Sequence, residues 1–298
     1  MSKICLSFVF NHQYEKNIPT LKKIYGDRFS TIRFLSPFSK SDHKEIIPIH
    51  EKSIHFQGYF SQAFDRLPKN FDYYVFCGDD LILNPHLNEH NLIEKIGSID
   101  SAYIKYLNPI WEHSFAWHKF EECNFFPNDE SSVPCARFLP PRKDLLAKYN
   151  DIGFNYRNIG CHNFWGIFEK KITMKRILCG IKYLYSSKFK RYVHYPLIEG
   201  YSDFIVIPQK WLKSFSFYCG VFAAMNLWVD AAVATAMVLS CKSIKMEKDH
   251  NYNGVELWGD DQKFHEEKYQ LNFQKFYQSF PKDQLYLHPI KLSKWKAW

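Results

Sequence analysis

The sequence has no closely paired cysteines, no glycine behind its first hydrophobic run, and no acid across its most basic stretch. The eight cysteines, at positions 5, 77, 123, 135, 161, 179, 219 and 241, are scattered and form no C-x-x-C. Several sit in apolar segments, where a reduced thiol packs as a small hydrophobe. A disulfide framework is therefore not expected, and a reducing, cytoplasmic compartment is. A zinc set drawn from His113, His118, Cys123 and Cys135 matches none of the usual ligand spacings. Residues 9–16, VFNHQYEK, lack glycine, which excludes a glycine-rich phosphate loop at that point. The opening MSKICLSFVFNHQ has one lysine, a short apolar run and no small-residue cleavage site. It reads as a first strand rather than a signal peptide.

What is present is a chain of 298 residues, enough for one large α/β domain with ample core. Apolar residues make up 46%, in periodic segments that run nearly throughout, as in a folded globular protein. Aromatics at 18% imply either a bulky core or sites that stack on ligands. The net charge of +8 points to an anionic partner: a nucleotide, a nucleic acid or a membrane face.

The chain is organised around residues 71–85, FDYYVFCGDDLILNP. Tyr73 to Cys77 form a near-continuous run of strand formers, as expected of a strand buried on both faces. The run stops at Gly78, and two adjacent carboxylates follow, Asp79 and Asp80. Charges beside a buried strand are costly unless compensated. A divalent cation bound through carboxylate oxygens would compensate them, whereas helix capping or simple solvation is the plainer reading.

Before this stretch the pattern predicts a strand over 3–10, a helix over 14–25, strands over 30–35 and 46–50, and a helix over 55–67. Asn11 and His12 then lie at the carboxyl end of the first strand, the edge where ligands gather in open α/β sheets. After it come a helix through 90–96 and a strand over 101–107. Residues 108–165 read as ordered loops interrupted by prolines, with a short helix over 142–149. Residues 170–192 carry eight Lys/Arg and no acid, with an apolar side, and suit an anionic membrane surface, or else an ordinary solvated helix or a phosphate-binding loop.

Gly200 precedes a strand, with Glu199 and Asp203 near its entry. Residues 218–241 are long enough to suggest a membrane span, but Asn226 and Asp230 interrupt them, so a helix, or a strand and turn followed by a helix, within the globular core is preferred. The tail LYLHPIKLSKWKAW offers His288 as an imidazole ligand and Lys291, Lys294 and Lys296 as cations for a diphosphate.

These motifs together resemble the GT-A glycosyltransferases, a fold with a Rossmann-type mixed sheet flanked by helices, in which a DxD-type motif holds a divalent metal on a sugar-nucleotide diphosphate. Gly78-Asp79-Asp80 departs from DxD by its leading glycine. HPIKLSKW, residues 288–295, is similar to the HxxGxxKPW element of the glycogenin-like branch, keeping the histidine, the second lysine and the tryptophan. The resemblance implies Mn2+ or Mg2+ held by Asp80 and His288. It implies a nucleotide-diphosphate sugar contacted by Phe10, Asn11, Asp79, Lys291 and Lys294. Asp230 resembles the acceptor-side carboxylate that serves as base in inverting members, with Asp203 and Glu199 as rivals for that role.

The implied organisation is a nucleotide-sugar-binding half, 1–107, and an acceptor-binding half, 108–298. The implied activity is hexosyl transfer to a glycan or glycolipid, as in capsule or lipopolysaccharide synthesis, by a cytoplasmic protein peripheral to the inner face of the membrane through 170–192. A Gly-Asp-Asp hairpin is also found in RNA-dependent polymerases, but no second strand-borne aspartate motif lies upstream, and nucleic acid is not the expected partner. A sugar-phosphate nucleotidyltransferase would also use a nucleotide and a metal, although it would normally carry the glycine-rich phosphate loop that residues 9–16 lack. A non-enzymatic membrane-surface or carbohydrate-binding protein would account for the aromatics and for 170–192, and would leave the acid pair unexplained.

Overall fold

The computed structural model describes residues 2–114, 117, 119, 122, 123, 135–158, 163, 178, 181 and 195–296. The strands are β1 (Ile4–Val9), β2 (Ile32–Pro37), β3 (Ile46–Ile49), β4 (Tyr73–Gly78), β5 (Ile82–Leu83), β6 (Ala102–Ile104), β7 (Leu107–Pro109), β8 (Ile198–Gly200), β9 (Phe204–Pro208), β10 (Ile244–Lys245), β11 (Asn253–Glu256) and β12 (Gln284–His288). The helices are α1 (Ile18–Tyr25), α2 (Gln57–Ala63), α3 (Leu92–Lys95), α4 (Arg142–Asp151), α5 (Gln209–Ala224), α6 (Val229–Ser240), α7 (Asp260–Tyr269) and α8 (Phe273–Gln278).

The protein is a mixed α/β fold. Seven strands form the main sheet in the order β10-β6-β9-β4-β1-β2-β3. β3, β2, β1 and β4 are parallel, and β9 runs antiparallel between β4 and β6. The sheet therefore draws on both halves of the sequence, with β9 and β10 completing what the first hundred residues begin. A small sheet, β11-β12-β5, and a pair, β7-β8, flank it.

The alternation of side chains along β4 explains its unbroken hydrophobicity. Tyr74 and Phe76 join one buried cluster, with α2, α5 and α6. Tyr73, Val75 and Cys77 join the other, which includes α1 and the aromatic residues of α7 and α8. A central parallel strand covered on both faces has no solvent side to mark with polar residues. Six cysteines lie among the described residues and are free, five of them buried, in keeping with thiols used as small hydrophobes.

Residues 218–241 do not form one helix. α5 starts earlier, at Gln209, and ends at Ala224; Asn226 takes a left-handed φ of +53°, and α6 restarts at Val229. The buried carbonyl of Leu227, at the break, accepts a 2.8 Å hydrogen bond from the buried Gln57 amide. Among the described residues no helix is long and apolar enough to cross a membrane. The basic stretch 170–192 lies outside the described residues except for Leu178 and Ile181, both exposed.

Candidate active site

Strand direction assembles the site. β1 and β4 are parallel and end side by side, Val9 opposite Gly78. β9 is antiparallel, with Phe204 opposite Cys77, so the residue before it, Asp203, begins where its neighbours end. Asn11, Asp79, Asp80 and Asp203 thus share one edge of the sheet. Pairing of β12 with β5, Leu287 opposite Ile82, carries His288 to the same place. The backbone N–H of Ile290 then donates to the Asp80 carbonyl at 2.6 Å.

His288 Nε2 stands 3.0 Å from Asp80 Oδ1 across 208 positions of sequence. Its other ring nitrogen, Nδ1, shares a 2.6 Å hydrogen bond with the Tyr201 hydroxyl. Burial alone would pull the His288 pKa down, but Asp80, Asp203 and Glu256 outweigh it and hold it above the usual imidazole value. Tyr201 is pushed up by burial and by the surrounding carboxylates, so it keeps its proton.

Asp79 turns the other way. It is buried, and its carboxylate accepts hydrogen bonds from the Asn11 backbone N–H and the Asn17 side chain. Burial and the charge of Asp80 push its pKa up to about 7 against those bonds. Its contacts fix the connection between β1 and α1, while Asp80 faces the open side with His288.

The three acids placed as base candidates separate in the structure. Glu199, on β8, lies 3.1 Å from His113 Nε2, and His113 stacks on Trp117 with ring centroids 4.4 Å apart. His118 lies outside the described residues, and among those described no three His, Cys, Asp or Glu side chains group as metal ligands. Asp203 is raised by burial and by Asp80 and Glu256, partly offset by His288, which places it on the His288 side. Asp230 lies in the first turn of α6, where the helix dipole favours a negative charge. One of its oxygens accepts from the Ser202 hydroxyl. Burial pushes its pKa up to about 7, Ser202 works against this, and Asp203 and Glu199 add to it.

Gly200 is where this acidic wall meets β6 and α6. A Cβ there would lie 2.5 Å from the Tyr106 carbonyl oxygen and 2.7 Å from Ile104 Cδ1. Only glycine lets these backbones approach so closely.

Several other expected positions can be placed. Phe10 is fully buried against Phe34, so its side chain belongs to the core and not to the ligand edge. Lys291 is exposed and follows Ile290, next to Asp80. Lys294 lies 3.6 Å from Glu266 of α7. Trp295 is buried against Tyr269, Phe273 and Phe276, where it anchors α7 and α8.

Residues the sequence did not mark complete the site. Lys105 donates to Glu256 Oε1 at 2.7 Å and to the Gly254 carbonyl at 2.8 Å, and lies over the Tyr201 ring. Trp258 donates its indole N–H to Glu256 Oε2 at 3.3 Å. Their segment, NGVELW, is short and only partly buried, so it carries no periodic signal.

Asp80 Oδ1 and His288 Nε2 pair with each other at 3.0 Å, with the imidazole oriented from behind by Tyr201; parted, the two could serve a divalent ion such as Mn2+ as one oxygen and one nitrogen ligand. Among the described residues, no three His, Cys, Asp or Glu side chains form a ready-made cation cluster. The remaining ligands of such an ion would be phosphate and water, as is usual for Mg2+ at phosphate-transfer sites. Compared with protein-family models and with curated proteins, the chain matches none.

Proposed function

We propose that this protein is a glycosyltransferase with a GT-A-like nucleotide-sugar fold, moving a hexosyl group from a nucleotide-diphosphate donor to a hydroxyl of a glycan or glycolipid. The observation that carries this reading is the meeting of Asp80 and His288 at the carboxyl edge of the parallel strands. Ligands of open α/β sheets bind at that edge. The mixed sheet, with one antiparallel strand from the second half inserted beside the acid-pair strand, supports the same reading.

Asp80 and His288 would hold a divalent ion, which when bound supplies positive charge against a departing diphosphate. The chain's own groups do the rest. Lys291, exposed beside Asp80, adds a cation for the same phosphates. Tyr201 fixes the His288 ring, and Lys105 restrains Glu256 at the far wall. Asp230, with a pKa near 7 and one oxygen held by Ser202, is poised to take the proton of an attacking acceptor hydroxyl at neutral pH. Glu199 is engaged with His113, and Asp203 lies on the ion side, which leaves Asp230 the better placed of the three.

The test is a thermal-shift panel of sugar nucleotides with and without Mn2+, since a ligand of the native state raises apparent stability by mass action. A nucleotide sugar that stabilises the protein in the presence of Mn2+, and loses that effect in Asp80→Ala, is expected. Equal stabilisation of Asp80→Ala and wild type by that nucleotide sugar in Mn2+, or a wild-type response that EDTA leaves undiminished, would refute the ion-site assignment.

A further inference from the structure

Trp258 presents a large apolar ring to solvent, 58% exposed, at the rim of the site. Its setting is not that of a stray surface aromatic. The indole N–H is tied to Glu256, which is itself held by Lys105. The ring stands nearly perpendicular to that of His288, 82° between planes and 5.6 Å between centroids. The preceding residue, Leu257, donates its backbone N–H to the His288 carbonyl at 2.6 Å. The following residue, Gly259, has φ of +61°, and the chain turns there into α7 and away from the site. Trp258 is therefore fixed by its polar atom and its neighbours while its face stays uncovered. A tryptophan whose only donor is already used has nothing left to offer but that face.

We propose that Trp258 is the stacking platform for one ring of the nucleotide-sugar donor held at Asp80 and His288. This rests on the reading of that pair given above. The chemistry it recognises is a ring with an apolar or π face attached to a phosphate, a description that fits both the nucleobase and the transferred pyranose. The ring lies against His288, so either group of a donor anchored through its diphosphate falls within its reach.

Calorimetric titration of wild type, Trp258→Phe and Trp258→Ala distinguishes the possibilities. The probes are Mn2+ alone, uridine, guanosine and thymidine diphosphates, and their hexose conjugates, the nucleotides in Mn2+. Alanine is expected to weaken the bound donor about tenfold, the usual loss for one aromatic stack, with phenylalanine retaining most of the affinity. Mn2+ binding should be the same in all three proteins. A loss shared by the bare nucleotides assigns the platform to the base, and a loss confined to the conjugates assigns it to the sugar. If wild type binds a donor and Trp258→Ala binds it equally well, the stacking role is wrong while the ion-pair reading stands. If wild type binds neither Mn2+ nor any nucleotide, that reading fails and takes this inference with it.

Discussion

Replacing Asp230 by asparagine separates the cost of its charge from its use. The carboxylate is pushed from an ordinary 3.8 up to about 7, chiefly by burial. Between those two values the unfolded chain has released the proton and the folded chain has kept it, so stability falls as pH rises through this window. Above pH 8 the charge is present in both states and the full penalty applies. The gap, at 1.36 kcal/mol per pH unit, amounts to about 4 kcal/mol, and solvent at the partly exposed carboxylate trims this to about 2–4 kcal/mol.

Asparagine has nearly the same shape and keeps an oxygen for the Ser202 hydroxyl, but it never ionises. Asp230→Asn is therefore expected to melt about 4–8 °C above wild type at pH 8.5, with the advantage shrinking steadily towards pH 4. Calorimetric melting of both proteins across that range is the assay. A melting difference that did not change with pH, or a mutant less stable than wild type at pH 8.5, would refute the electrostatic argument. In the same protein, transfer activity should fall 10²–10⁴-fold if Asp230 is the base, and an unchanged rate would remove it from that role.

Tyr201→Phe removes the hydroxyl behind His288 and should cost about 10–100-fold in Mn2+ affinity, read by calorimetry, with little change in unfolding midpoint. Gly200→Ala forces a methyl group into the Tyr106 carbonyl and Ile104. It should destabilise by at least about 1–3 kcal/mol, seen as a lower urea midpoint at unchanged slope. Lys291→Ala should weaken diphosphate binding most at low salt, with the loss shrinking as salt is added, whereas Lys294→Ala, whose ammonium lies towards Glu266, should leave it within about twofold.

The sequence discloses what rests on period and on local residue type. The strand over 73–77, the helix into Tyr25 and the acid pair at its edge follow from local pattern and are found where expected. The conjunction of Asp80 with His288 comes from resemblance to a family, since no local rule relates residues so far apart. Asn226 shows in the sequence as a polar interruption, but that one helix ends and another begins there is shown by its left-handed backbone and the Gln57 bond, since its flanks are equally apolar. Phe10, the residue after β1, turns its side chain into the core, a direction set by the parity of the pleat, which is known only once the register is. Glu256, Lys105 and Tyr201 form their network across three separate strands and turns, and none of the three has a signature alone.

The span between Asp80 and His288 has a consequence for the timing of synthesis. At 5–20 residues per second, the ribosome needs about 10–40 s to cover the 208 positions between them. During that interval β1, β2, β3 and β4 are available to pair, but the strand that brings the imidazole is not yet made. The nascent sheet thus waits with its acidic edge uncompensated, and the imidazole that pairs with Asp80 arrives only near the end of translation. A chain stalled or cut before β12 would lack His288 together with the buried Leu285, Tyr286, Leu287 and Trp295, which belong to the second core cluster.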